Sequence, residues 1–168
     1  MLGVCLLFVG IVLLSNGVCI LSGVDSKSFA IMNILAGTVT LFCCMVNVVW
    51  GNYYAAACVL LFSATYWYNV FNSFLDLDPR PIGWFSLYVA VCCVVFAVND
   101  GILGNATLGI VADWRWAVIW ILWAILWGST FVTNVLKKDL GKFPAGLLVF
   151  EGITTGMIPS LMMLLQVW

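Results

Sequence analysis

Residues 116–127 read WAVIWILWAILW, and this stretch decides the fold. Its tryptophans are spaced i, i+4, i+7 and i+11, at Trp116, Trp120, Trp123 and Trp127. At about 100° per residue, the four side chains fall within roughly 60° of one another around a helix axis. Every residue between them is apolar. The stretch therefore predicts a membrane-spanning helix with a ladder of indole rings along one face.

The composition around this stretch is that of an integral membrane protein. Of the 168 residues, 65% are hydrophobic and 8% are charged, and the mean hydropathy is +1.17. A soluble domain has about 25% charged residues, and a globule of this size could not hide so much apolar surface from water. The net charge of −1 gives no reason to expect a nucleic-acid partner.

Six apolar segments are long enough to cross a bilayer as helices. They cover residues 2–21, 29–49, 54–74, 83–98, 114–136 and 144–167. A bilayer core of about 30 Å needs roughly 20 helical residues, and backbone groups in lipid have to bond within their own segment. The sequence therefore predicts an all-α integral membrane protein, with a single six-helix transmembrane domain over residues 1–168. The first segment is expected to be a retained helix and not a signal peptide.

The basic residues are distributed unevenly between the predicted loops. The loops after segments one, three and five hold Lys27, Arg80, Lys137, Lys138 and Lys142, and those after segments two and four hold only Arg115. Basic loops stay in the cytoplasm, so both termini are expected outside. Asn16 and Asn69 each precede an aspartate by nine residues and a basic residue by eleven. This spacing predicts three helix hairpins descended from one unit; the alternative is that membrane hairpins simply look alike.

The depth of the ladder favours a role beyond anchoring the protein at the membrane surface. Tryptophan is common at membrane interfaces, but Trp120, Trp123 and Trp127 lie progressively deeper in their segment. A deep indole N–H needs a hydrogen-bond partner that lipid does not offer. A path for a small polar solute would supply one, and plain helix packing is the alternative.

The first segment carries a matching aliphatic stripe. It has the same spacing as the ladder, at Leu2, Leu6, Val9 and Leu13. An aliphatic stripe that faces an indole stripe would form a flat slot, which strips water from ions at great cost. The cost of desolvation would be much lower for a neutral, planar, hydrogen-bonding solute that enters the slot.

An acid at membrane depth is the other polar signal. Glu151 lies in the last segment, and carboxylates at this depth usually face a cavity or a partner. No cation lies at its depth, so hydrogen-bonded support is expected; a buried acid that only ties helices together is the alternative. In the third segment Tyr66, Trp67 and Tyr68 add donors, and Tyr68 is expected to look along the face of Thr65.

Several other classes of site are disfavoured. The chain has no histidine, which excludes a His-based proton relay and a Ser-His triad. The seven cysteines lie in apolar runs without CxxC spacing and are interpreted as small fillers of helix interfaces. No metal site, cofactor or catalytic residue is predicted, so the chain is not expected to be an enzyme. A proton-coupled transporter that uses Glu151, and a structural or signalling membrane protein, are the competing classes.

Ordered matches along the whole chain resemble one family. They include the opening Met1-Leu2-Gly3 with Ser15-Asn16-Gly17, then Arg80-Pro81 and the ladder, and finally Leu140-Gly141-Lys142-Phe143 with Glu151-Gly152-Ile153. The chain resembles the UreI/AmiS family of urea channels and short-chain amide transporters. The resemblance implies a protein of the bacterial cytoplasmic membrane. It also implies a homo-hexameric ring with lipid in its central hole and a separate pore in each six-helix protomer.

The resemblance further implies passive permeation of urea or a small amide, with possible functional coupling to a cytoplasmic urease. The implied pore-lining residues are Leu2, Leu6, Val9, Leu13, Tyr68, Trp120, Trp123, Trp127 and Glu151. Urea is favoured over acetamide, because the last hairpin and the tryptophans look closest to the urea-conducting branch.

One departure from the family concerns gating. Its acid-activated members carry a long outer loop between helices two and three that is rich in histidine and acids. This chain has only a few residues there and no histidine, and its outer titratable groups are mainly Asp100 and Asp113. The departure predicts a channel that is open at neutral pH and is not gated by acid through histidine.

Overall fold

The computed structural model describes residues 1–168 and is helical, without a β-strand. Its α-helices are α1 (Leu2–Leu21), α2 (Ser26–Val49), α3 (Tyr53–Leu75), α4 (Arg80–Val98), α5 (Trp114–Asn134), α6 (Phe143–Glu151) and α7 (Ile158–Leu164). A 3-10 turn at Ala106–Leu108 lies in the loop before α5. The predicted segment bounds agree with these helices to within three residues at each end, and the all-α fold class is confirmed.

Five helical segments are long and apolar enough to cross a membrane. They are α1, α2, α4 with its extension to Leu103, α5, and the run from α6 through α7. The remaining long helix is α3, which has 23 residues. Its hydropathy is lowered by the polar side chains in its second half, among them Tyr66, Tyr68 and Asn69.

The final segment differs from the single helix predicted over residues 144–167, because a π-helix at Gly152–Met157 separates α6 from α7. The Thr155 hydroxyl donates to the Glu151 carbonyl oxygen at 2.7 Å, a local bond that competes with the regular helical pattern. Pro159 has no amide hydrogen to donate to the carbonyl four residues before it. Both features favour the wider turn of a π-helix.

The first of two compact units comprises Met1–Asp78 and Lys142–Trp168. Within it, α2 packs along α3, and α1 packs on α2 and on the whole final segment. Asp25 starts α2 by accepting the Lys27 amide hydrogen at 3.2 Å. The predicted aspartate-to-basic spacing therefore coincides here with the beginning of a helix.

Glycines let α1 approach the final segment at backbone distance. Gly3, Gly10 and Gly17 recur every seven residues and share one face of α1. A Cβ built on Gly10 would lie 2.7 Å from the Met157 amide nitrogen, and one on Gly17 would lie 2.7 Å from a backbone carbonyl oxygen of α6. Any side chain at Gly10 or Gly17 would force the two helices apart.

An amide pair joins α1 to α2. Asn16 donates its side-chain N–H to the Asn33 carbonyl oxygen at 3.1 Å, and Asn33 donates in return at 3.0 Å. Both side chains are buried. Because each amide satisfies the other away from water, the pair fixes the register of the two helices.

The second unit comprises Pro79–Gly141 and is built on α4 and α5, which pack along each other. Near one end Trp84 and Phe131 meet edge to face, with ring centroids 5.2 Å apart. At the other end α4 continues as a π-helix, Asn99–Leu103. Its Gly101 lies against the backbone of α5 at Ala117, where no Cβ would fit.

Candidate functional site

The three deeper tryptophans of the ladder are buried in the second unit. Trp120, Trp123 and Trp127 are 5%, 2% and 7% exposed, whereas Trp114 at the start of α5 is 71% exposed. The deep indoles therefore do not belong to the surface of the protein, and Trp114 has the exposure of an interfacial anchor.

Trp120 is held by three groups of its own unit. Its indole N–H donates to Oδ2 of Asp100 at 2.9 Å. The rings of Trp120 and Trp123 meet nearly at right angles, 84°, with centroids 5.0 Å apart. Phe96 of α4 lies on another side, 4.9 Å between centroids. This edge-to-face packing is the favoured geometry for aromatic pairs, so the ladder is a rigid wall at this point.

The partner of Trp120 was missing from the sequence analysis, which expected a partner for every deep indole but took Asp100 only as an outer-loop acid. Asp100 is 8% exposed and lies in the π-helix that extends α4. Its other oxygen, Oδ1, accepts the Asn99 side-chain N–H at 2.7 Å. The only sequence signal was an acid and an amide in adjacent positions at the end of a predicted membrane helix.

The aliphatic stripe of α1 is buried over most of its length. Leu6, Val9 and Leu13 are 2%, 0% and 7% exposed, and Leu2 at the helix start is 43% exposed. At about 100° per residue, the stripe lies beside the glycine face that meets the final segment. The stripe thus belongs to the interior of the protein along α1, as a path lining requires.

Glu151 is fully buried at the end of α6, and neither of its carboxyl oxygens has a hydrogen-bond partner in the protein. The expectation of hydrogen-bonded support was therefore wrong. The neighbouring turn leaves α6 for the π-helix, and the threonine of that turn bonds the Glu151 backbone instead of its side chain. A buried, unpaired acid is expensive for a fold and is typical of a functional position.

Tyr66 is the buried aromatic residue of α3 with an unsatisfied hydroxyl. It is 3% exposed, and its hydroxyl has no hydrogen-bond partner in the protein. Tyr68 is half-buried and lies about 160° away around the helix. Both tyrosines were expected to add donors, and only Tyr68 was predicted from the sequence to line the path; its role there stays a prediction. The signal for Tyr66 was Ser63 on the same face, whose hydroxyl donates to the Gly37 carbonyl oxygen of α2 at 2.9 Å.

An ion pair occupies the start of α5. Asp113 accepts the Arg115 amide hydrogen at 3.0 Å and three guanidinium hydrogen bonds, the shortest at 2.6 Å. The guanidinium hydrogen bonds hold the pKa of Asp113 below its usual value. Asp113 is therefore poorly suited to sense mild acid.

The chain contains no cluster of three or more His, Cys, Asp or Glu side chains that could hold a metal ion. All seven cysteines are free thiols. Two of them, Cys5 of α1 and Cys43 of α2, are buried, and their helices pack on each other. They fill the interface between these helices, as small apolar side chains do.

The family model for AmiS/UreI family transporters matches residues 1–167 of the chain. The acid-activated urea channel of Helicobacter pylori (strain J99) is 38% identical over 195 positions that cover all of both chains. A putative amidate substrates transporter protein of Mycolicibacterium smegmatis is 29% identical over 99% of this chain and 78% of its own length.

A solved structure gives the same result for the fold. The crystal structure of the urea channel from Helicobacter pylori is similar with a TM-score of 0.88 at 42% identity, and the match covers 100% of this chain and 99% of that one. Together with the apolar helices, these similarities show a multi-pass membrane protein. The chain belongs to the AmiS/UreI family of transporters.

Proposed function

We propose that the protein is a passive urea channel of the bacterial cytoplasmic membrane. The observation that carries the proposal is the burial of Trp120, Trp123 and Trp127 as a wall away from lipid. A wall of indole faces offers van der Waals contact and weak polar contacts to a planar amide, while the apolar surroundings penalise any ion. Similarity to a urea channel over the full chain supports urea as the solute.

The residues proposed to line the path are the aliphatic stripe of α1, one tyrosine, one acid and the deep tryptophans of the ladder. They are Leu2, Leu6, Val9, Leu13, Tyr68, Glu151, Trp120, Trp123 and Trp127. Glu151 is proposed as a polar binding position on the path, because neither of its carboxyl oxygens accepts a hydrogen bond from the protein. An unpaired carboxyl group can accept the N–H groups of an amide solute.

We propose that the channel conducts at neutral pH without activation by acid. The connection from α2 to α3 is only Trp50–Asn52, and the chain has no histidine. Asp113 already forms an ion pair with the Arg115 guanidinium. The short connection therefore offers no histidine that could change charge between neutral pH and about pH 5.

The assembly and orientation belong to the same proposal. We expect a homo-hexamer with lipid in its centre, both termini outside, and supply of urea to a cytoplasmic urease. Native mass spectrometry of the detergent-solubilised protein tests the hexamer. Labelling of a cysteine added after Trp168, in intact cells, tests the outer location of the C-terminus.

The central test is solute flux into liposomes that contain the purified protein. Urea flux is measured at neutral pH and near pH 5, for the wild type, Trp123→Ala and Trp114→Ala. Trp123 is buried in the wall and Trp114 is exposed at the helix start, so they form a matched pair. We expect equal wild-type flux at both pH values, a changed flux in Trp123→Ala and an unchanged flux in Trp114→Ala. Strong activation on acidification would contradict the ungated channel.

A short-chain amide such as acetamide is the second candidate solute. It is favoured by the similarity to a putative amidate substrates transporter protein. Acetamide flux in the same liposomes decides between the two: rapid acetamide entry without urea entry would assign the protein to amides. Proton-coupled transport through Glu151 is the third candidate, and it requires that flux respond to an imposed pH gradient.

A further inference from the structure

A chain of polar side chains ends on the first deep indole of the ladder. Asn105 donates to Asn99 at 3.3 Å, Asn99 donates to Oδ1 of Asp100 at 2.7 Å, and Oδ2 of Asp100 accepts the Trp120 N–H at 2.9 Å. Breaking a buried hydrogen bond leaves its donor unsatisfied and therefore costs more than breaking an exposed one. Because Asp100 and Trp120 are both buried, water does not compete for these bonds.

The backbone places Asp100 for this contact. The π-helix at Asn99–Leu103 brings Gly101 against α5 at Ala117, one helical turn before Trp120. The Asp100 carbonyl oxygen accepts the Asp113 amide hydrogen at 2.9 Å, which closes the loop from α4 to α5. Both the side chain and the main chain of Asp100 are therefore fixed relative to α5.

The indole of Trp120 has its orientation determined at both ends of the ring system. Asp100 holds its N–H edge, while Phe96 and Trp123 pack against the ring. Aromatic packing alone allows a ring to tilt or flip to another rotamer, since it has no strong directional component. The hydrogen bond supplies that direction.

We propose that Asp100 is a positioning residue that sets the size selectivity of the path through the orientation of Trp120. The inference rests on the function proposed above, in which Trp120 lines the path. With its N–H bound to Asp100, the indole presents a fixed ring surface to the solute and no free donor. A solute larger than urea is excluded by a ring that cannot turn aside.

The experiment compares urea with N-methylurea, which adds one methyl group. Fluxes of both are measured in liposomes for the wild type, Asp100→Leu, Asp100→Asn and the control Asp113→Asn. Leucine removes the acceptor, whereas asparagine keeps a carbonyl oxygen that can accept the indole N–H. Asp113 lies in the same loop and also loses its charge in the control, but it is bonded to Arg115 and not to Trp120.

We expect Asp100→Leu to raise the ratio of N-methylurea flux to urea flux about tenfold, the size expected when one buried hydrogen bond no longer holds a rotamer. Asp100→Asn should restore most of the wild-type ratio, and Asp113→Asn should leave it unchanged. An unchanged ratio in Asp100→Leu would overturn the inference, as would an equal rise in Asp113→Asn.

A second readout is independent of flux. In the full-length protein labelled with ¹⁵N-tryptophan, the Trp120 indole N–H resonance is assigned by its loss in Trp120→Phe. It should move upfield in Asp100→Leu and stay in place in Asp113→Asn. If Asp100→Leu does not fold, Asp100→Ala replaces it in the flux assay, because alanine also removes the acceptor of the indole N–H. Asp113→Asn stays the control, and only Asp100→Ala should relax selectivity.

The two proposals fail in different ways. A wild-type protein that conducts neither urea nor amide overturns the proposed function, and with it the role of Asp100 in selectivity. A wild-type protein that conducts urea, with a flux ratio insensitive to Asp100→Leu, overturns only the role of Asp100.

Discussion

Replacing Gly10 by alanine tests whether α1 and the final segment are in backbone contact. An ideal Cβ at Gly10 would lie 2.7 Å from the Met157 nitrogen and 2.9 Å from backbone atoms of Gly152 and Gly156. These atoms belong to the main chain and cannot rotate away as a side chain could. Ordinary contact begins at 3.4 Å, so the backbones would have to separate by about 0.7 Å.

Overpacking of this kind costs about 1–3 kcal/mol. In a protein of this size each kcal/mol lowers Tm by about 2–4 °C, so Gly10→Ala should lower Tm by roughly 2–12 °C. Gly146→Ala is the matched control, because it adds the same methyl group to α6 with nothing within 4 Å. Alanine in an open helical position is favourable by about 0.5–1 kcal/mol, so this control should be neutral or slightly more stable.

The assay is thermal unfolding of the purified protein in one detergent, followed by circular dichroism for both variants and the wild type. Urea flux is measured in parallel, because Gly10 is adjacent to Val9 of the proposed lining and a displaced α1 should slow the solute. Equal melting of Gly10→Ala and Gly146→Ala would refute the close backbone packing described here. A Gly10→Ala variant with a higher Tm than the wild type would refute this packing even more clearly.

Three further outcomes are expected. The guanidinium of Arg115 keeps the pKa of Asp113 low, so the stability from this pair is present above the unfolded-state pKa and is lost only as pH falls through the lower folded-state pKa. Tm should therefore stay constant from neutral pH to about pH 5. Arg115→Gln should shift the loss of stability in acid to higher pH, as measured by Tm at each pH. Asn16→Leu leaves the buried side-chain oxygen of Asn33 without its donor, although the Asn33 side-chain N–H still reaches the Phe29 carbonyl oxygen at 3.3 Å, and it should destabilise by about 1–3 kcal/mol. The double change to leucine should cost less than the sum of the single changes, as measured by thermal unfolding. Glu151→Gln removes the titratable group with little change of shape, so a passive channel should keep its urea flux and its indifference to an imposed pH gradient. Flux that depends on the gradient in the wild type and loses this dependence in the variant would favour proton coupling.

The helices were predictable because their signals are local. Apolar runs of membrane length define α1 and α5, and the start of α5 follows an acid that caps it, Asp113. The π-helix after Glu151 was not predictable in this way, since it depends on the combined effect of Thr155, Pro159 and the contact with α1. Each of these features alone also occurs in regular membrane helices.

The site was predictable where it depends on the spacing within one helix. The spacing of the ladder predicted that Trp123 and Trp127 share a face, and both are buried. The role of Asp100 and the burial of Tyr66 were not predicted, because both depend on contacts between helices. Twenty residues separate Asp100 from Trp120, and no sequence period joins them. Tyr66 is selected over its neighbours by the rotation of α3 against α2, which the sequence of α3 alone does not determine.

The wide turn between α6 and α7 affects how this part of the chain has to be aligned with its relatives. In a regular helix each residue advances by about 100°, so a residue accommodated in a π turn leaves every later side chain rotated by about that angle. Ser160, which is fully buried, is on the interior face only because of this rotation. A one-residue deletion between Gly152 and Met157 would straighten the helix and turn a different face of α7 toward α1. Evolutionary insertions and deletions in this segment are therefore expected to come in compensating pairs, or to be accompanied by exchange of the glycines that α1 presents to it.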